Sequence, residues 1–186
     1  MKIKFPFGHY LGRMLAAFLI GAVLIAFTLY YSFDTRLRPT AQETISLFIA
    51  ASYQEGKAHE AWSLLKDDLS DNILQFRLYS YDTTNDGFKT AYQYQGRSCD
   101  VVILPESLLN DDLSLFWDIP NEDAYRNKGI LIHSKDGTTS SMGSYFTYHE
   151  DNYYAFFNIS SLHVSSLDAA KGDNEAFVLV ESLRSH

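Results

Sequence analysis

The stretch Cys99-Asp-Val-Val-Ile-Leu-Pro-Glu-Ser107 decides the fold. Its apolar run is continuous and stops at Pro105, whereas a strand with one solvated face would alternate polar and apolar residues. It therefore reads as a strand buried on both faces of a parallel sheet and is expected at the sheet's centre. Just before it, Phe88 to Tyr94 reads as a short helix, closed by Gly96 in the manner of a C-terminal glycine. Further back, Ile73 to Tyr81 has a β-rich composition and ends in the turn-forming Asp82-Thr-Thr-Asn-Asp-Gly87. Ala58, Ala61, Trp62, Leu64, Leu65 and Leu69 recur at three- and four-residue spacing, the pattern of an amphipathic helix. Ile45, Leu47 and Ile49 alternate with smaller or polar residues, which suggests a first strand; a helix from Thr40 is the alternative.

Downstream of Pro105, Glu106 to Asp112 reads as a helical turn and Trp117 to Pro120 as a loop. Lys128 to Ser134 and Asn152 to Ile159 are strand candidates. The Ser/Thr/Gly-rich turn from Gly137 to Gly143 leads to an intermediate strand around Tyr145 to Tyr148, and this part is expected to be antiparallel. Ala176, Phe177, Leu179, Val180 and Leu183 lie close to one helical face, so the chain should end on a helix from Asn174 to Leu183. The fold class expected is α/β, a single mixed-sheet domain.

At the other end, Met14 to Phe33 is a run of twenty residues without a charge. At about 1.5 Å per residue it matches the roughly 30 Å hydrocarbon core of a bilayer. Arg13 and Asp34 bound it, and Tyr30 and Tyr31 sit where aromatic side chains favour the interface. A cleaved signal peptide is the competing reading. The run is longer than the usual apolar segment of such a leader, and no small-residue cleavage pattern follows Tyr31, which favours an uncleaved anchor.

Lys2, Lys4 and Arg13 precede the run while Arg36 and Arg38 follow it, a bias that leans towards a cytoplasmic N-terminus. The expected organisation is a cytoplasmic segment 1–13, a span 14–33, a juxtamembrane connector 34–43 and an extracytoplasmic domain 44–186. After Phe33 the chain holds all 23 acidic residues and 12 of the 15 basic ones, a net charge of −11. Such a domain is repelled by nucleic acid, which is disfavoured as a partner. The lone Cys99 has no partner for an intramolecular disulfide, so the core must carry the fold.

The turn after 73–81, the helix, "SCDVVILPESLL" and the "NYYAFFNISS" strand before a C-terminal helix resemble the periplasmic-type, extracellular solute-binding proteins of ABC transporters. The 153 residues from Asp34 to His186 suffice for one lobe of such a protein. The resemblance implies that the residues just after the apolar strand help line a ligand site, which points to Pro105, Glu106 and Ser107. Open α/β sheets bind ligands outside the carboxyl ends of their strands, and this adds Asp82. It further implies a non-enzymatic, bacterial, membrane-tethered domain beside a transporter or other membrane protein, with the bilayer itself as a partner. Whether a small-molecule ligand exists is left open, with a protein-interaction module as the alternative and a membrane-anchored enzyme of unrecognised type as the second.

Common catalytic signatures are absent: the sequence has no Walker A, G-x-G-x-x-G, H-E-x-x-H, C-x-x-C or G-x-S-x-G motif. No catalytic residue, metal ligand or cofactor is assigned. His133, His149 and His163 lack the spacing of a metal site, and Ser107, Glu106 and His133 form a nucleophile constellation only on paper. The Asp82–Gly87 loop lacks the ligand spacing of a calcium loop. Tyr79, Tyr81, Tyr92, Tyr94, Tyr145, Tyr148, Tyr153 and Tyr154 invite a sugar- or partner-binding surface, though strand packing accounts for most. Asn158-Ile-Ser160 is a glycosylation sequon only in a host that modifies such sites.

Overall fold

The computed structural model describes residues 7–109, 113–119, 124–164 and 174–186. The chain divides into two compact units, Met1–Pro39 and Thr40–His186. In the first, α1 runs from Phe7 to Leu37. Its stretch Gly12–Tyr31, 20 residues with a mean hydropathy of 2.2, contains no buried residue and is long and apolar enough to cross a membrane. The Thr28 hydroxyl donates back to the Leu24 carbonyl at 2.8 Å, so its polar group is satisfied within the helix. The helix does not end with the apolar run at Phe33. The charges that follow stop hydrophobicity, not helicity; Pro39 disfavours helical backbone at Arg38, and α1 stops at Leu37. The backbone joining the helix to the first strand is thus shorter than the expected 34–43, and part of it is a 3-10 turn at Ala41–Glu43. Lys2 and Lys4 lie outside the described residues.

The second unit is α/β, with a five-stranded mixed sheet. In chain order it comprises β1 (Thr44–Ile49), β2 (Ser52–Tyr53), α2 (Ala58–Asp67), β3 (Gln75–Ser80), α3 (Phe88–Tyr94), β4 (Val101–Pro105), β5 (Ile130–His133), β6 (Phe146–Thr147), β7 (Tyr153–Phe157) and α4 (Glu175–Ser185). The sheet order is β3-β1-β4-β7-β5. β4 is central and all five of its residues are buried, as its apolar run requires. The sheet is not purely parallel: β4 pairs parallel with β1 and antiparallel with β7, and β5 pairs antiparallel with β7.

The alternation of β1 decides what covers each face. Ile45, Leu47 and Ile49 point to the side where Ala61 and Leu65 of α2 and Leu179, Val180 and Leu183 of α4 are buried. Phe48 points the other way, into the rings of Phe88 and Tyr92 on α3, with centroids 6.1 and 5.8 Å away. This arrangement follows from chain handedness. The β1–α2–β3 crossover moves one way across the sheet and β3–α3–β4 moves back past β1, so two right-handed crossovers must put their helices on opposite faces. Every described residue of the buried core lies between Ile45 and Leu183, so the second unit has a core of its own.

Two expectations change. The segment around Tyr145–Tyr148 is not a neighbour of the strands that flank it in sequence. Its Phe146–Thr147 pairs with Ser52–Tyr53, just after β1, in a separate two-stranded sheet. Gly96 follows α3 as expected, yet its use is close packing: a Cβ there would lie 2.6 Å from Tyr92 Cδ2 and 3.1 Å from Phe48 Cγ. The turn expected over 106–112 is a 3-10 turn at Glu106–Leu108. Residues 110–112, and Pro120 of the expected loop, lie outside the described residues.

Cys99 is buried at the junction of α3 and β4, with its thiol directed at the Gln95 carbonyl. Burial pushes its pKa up to about 12, opposed in part by a hydrogen bond with Ser46.

Candidate functional site

The chain leaves β1 towards β3 and leaves β4 towards the opposite side of the sheet. The crevice rule for open α/β sheets therefore singles out the carboxyl ends of β1 and β4, with that of β3 alongside. The four residues expected at a ligand site are all on this edge, in two separate clusters.

The first is centred on Asp82, in the turn after β3. Its Oδ2 accepts from Ser52 Oγ at 2.7 Å, and its Oδ1 accepts from Thr84 N and Oγ1 at 2.8 and 2.7 Å. His149 Nε2 lies 2.9 Å from the same Oδ1. A carboxylate only accepts, so the contact requires His149 to carry its proton on Nε2. The Ser52 and Thr84 hydrogen bonds, chiefly, hold the Asp82 carboxyl well below the usual carboxylate range. His149 is tied in turn through its backbone N–H, which donates to the Tyr153 hydroxyl at 3.1 Å. The cluster thus joins the β1–α2 loop, the turn after β3 and the β6–β7 loop.

Serine, aspartate and histidine meet here, but the carboxylate stands between the other two. In a Ser-His-Asp relay the imidazole must stand between hydroxyl and carboxylate, so Ser52 has no imidazole base beside it in this cluster, only the weakly basic Asp82 carboxylate. The arrangement fastens three loops.

The second cluster follows β4. Pro105 is buried as the last residue of that strand and pairs with Tyr153. Glu106 accepts from Asn152 Nδ2 at 2.9 Å, and its own N–H donates to the Asn152 carbonyl at 2.8 Å. Ser107 N donates to Asp151 Oδ2 at 3.0 Å. These contacts anchor the 3-10 turn to the β6–β7 loop. The imagined set of Ser107, Glu106 and His133 is not assembled, because His133 Nδ1 pairs with Ser140 Oγ at 3.1 Å and its ring stacks on Tyr148 with centroids 4.4 Å apart.

The three histidines considered as metal ligands also go separate ways: His133 to Ser140, His149 to Asp82, and His163 to the Thr44 carbonyl. Among the described residues no group of three or more His, Cys, Asp or Glu side chains converges. Asn158 of the sequon is buried, and its Nδ2 donates to the Arg97 carbonyl at 2.8 Å, so the folded chain does not present it for glycosylation.

What the sequence reading missed lies on the same sheet face as Phe48. There α3, only seven residues long, covers β1, while Phe116 and Tyr125 cover Phe156 and Tyr154 of β7, with ring centroids 4.9 and 4.5 Å apart. Between these covers, above Leu104 of β4, a groove of about 390 Å³ remains open. Phe88, Leu104 and Phe116 are its buried lining, Leu108 and Leu115 stand beside them, and Lys89, Gln93 and Arg97 are its exposed polar members. Arg97 is close enough to Tyr92 to oppose part of the rise that burial causes in that hydroxyl's pKa. A signal was present in the sequence: Lys89, Gln93 and Arg97 recur at four-residue intervals, the spacing that aligns side chains along one helical face.

Comparison of the chain with protein families, curated proteins and solved structures found no match.

Proposed function

We propose that this chain is a membrane-tethered, non-enzymatic binding domain, similar to one lobe of a solute-binding protein and working beside a transporter or another membrane protein. In this reading α1 is an uncleaved single-pass anchor, the N-terminus is cytoplasmic and the α/β unit is extracytoplasmic. The binding site is the groove above Leu104, not the Asp82 and Glu106 clusters, whose polar atoms hold loops together.

The observation that carries the reading is the position of this groove. It lies over the sheet face and reaches Leu104 near the carboxyl end of the central strand, beside the edge where α/β sheets take ligands, and its volume lies in the range of small-molecule sites. Thermal-shift screening of residues 40–186 against sugars, amino acids, short peptides and amphiphiles tests it. A ligand that raises the melting temperature, and loses its effect when Leu104 or Leu108 is replaced by a polar residue, is the expected result. A panel with no stabilising member would remove the small-molecule version.

A second reading, a protein-interaction module, draws on the fact that one sheet supplies only one wall of a cleft. Co-purification of a membrane protein with the full chain from mild detergent, lost on replacing groove residues, would favour it.

A further inference from the structure

Lys89 and Arg97 are exposed at the groove, and among the described residues neither makes an ion pair. This is unexpected from composition, because the chain after Phe33 carries 23 acidic residues against 12 basic ones. Among the described residues the groove lining contains no carboxylate. A surface that repels anions on average therefore places two cations, without an ion-pair partner among the described residues, beside a groove whose floor is apolar and whose α3 side is polar, and the complement to such a groove is one molecule with a negative head and an apolar body.

The floor narrows the choice further. β4 is paired on one edge by β1 and on the other by β7, so the trough exposes no strand edge to an incoming backbone. A bound peptide would bring an N–H and a C=O with each residue, and all of them need partners once water is displaced. Phe88, Leu104, Leu108, Leu115 and Phe116 offer no side-chain donor or acceptor, and the polar atoms of the lining are confined to Lys89, Tyr92, Gln93 and Arg97 on the α3 side, too few to partner an extended backbone along its length. An alkyl chain has no such requirement and gains free energy in proportion to the apolar surface it covers.

Building on the groove as the binding site, we propose that its ligand is a free small amphiphile with a carboxylate head, the alkyl chain lying over Leu104 and the head meeting Lys89 and Arg97. A charge-assisted contact to each cation contributes about three- to tenfold in affinity.

Decanoate, decanol and a capped acidic hexapeptide of Leu and Glu, titrated into methyl-labelled residues 40–186, separate the possibilities. The expected result is that decanoate shifts the Leu104, Leu108 and Leu115 methyls and binds more tightly than decanol. Lys89→Gln and Arg97→Gln should each weaken decanoate about three- to tenfold while leaving decanol unchanged. Equal binding of decanol and decanoate at those methyls would overturn the acidic head while leaving the groove as the site. Tighter binding of the hexapeptide there would overturn the amphiphile in favour of a protein partner. Silence of these methyls towards all three probes, with a shift from another stabilising compound of the screen, would defeat the amphiphile alone. Silence towards every compound would defeat the groove as well.

Discussion

The two faces of the central sheet are built from similar residues and finished differently. On one, α2 and α4 lie over Ile45, Leu47 and Ile49, and Leu65, Leu179, Val180 and Leu183 are fully buried. On the other, a seven-residue α3 and the segment around Phe116 and Tyr125 each cover part of the face and leave Leu104 beneath an open trough. The first face commits its apolar surface to stability. The second withholds some of it, and the difference comes from cover length, since both faces present large apolar side chains.

Leu65→Ala or Leu179→Ala should be the most damaging change, at about 2–5 kcal/mol, because the side chain is deleted from a site with no solvent to fill it. Leu108→Ala, on a residue 40 % exposed at the groove, should cost under about 1 kcal/mol. Urea unfolding of residues 40–186 measures both, and equal costs would mean that the two faces are sealed alike.

Gly96→Ala comes next, at about 1–3 kcal/mol, since the new Cβ would press on Tyr92 and Phe48, the pair that seats α3. If α3 shifts to relieve the contact, the groove should change shape as well, visible as movement of the Leu104 and Leu108 methyl signals.

Asp82→Asn should cost about 1 kcal/mol at neutral pH by weakening the Ser52, Thr84 and His149 contacts. The sign of its pH dependence is set by the depressed Asp82 pKa. Stability from such a carboxylate is complete above its unfolded value, near 4, and is lost as pH falls through the folded value. Wild type and variant should therefore differ most near neutrality and converge in acid; a gap that stayed constant down to pH 2 would show that ionisation of Asp82 is not its source.

The smallest effect is expected from Lys89→Gln and Arg97→Gln, which should leave the unfolding free energy within about 0.5 kcal/mol. Among the described residues these cations have no ion-pair partner to lose, so a larger change would place them in the scaffold.

The elements were legible where local pattern and burial agree. The run ending at Pro105 announced a fully buried central strand, and the three- and four-residue spacing from Ala58 announced α2. Pairing was less legible. Ser52–Tyr53 and Phe146–Thr147 are two residues each, too short for any periodicity, and only the folded chain joins them. The edge holding Asp82 and Pro105–Ser107 could be anticipated from strand ends, but the saturation of their polar atoms could not, because Asn152, Asp151 and His149 arrive from a distant loop. The groove was hidden for a different reason: it is a space between covers, defined by how far α3 fails to reach.

Cys99, the only cysteine, sits under the α3–β4 junction with its thiol held protonated. Because the thiolate is the reactive species, alkylation in the native state must wait for that junction to open. One residue thus gives the chain an internal clock, whose rate reports how often the wall of the groove lifts from the sheet and how much a bound ligand slows it.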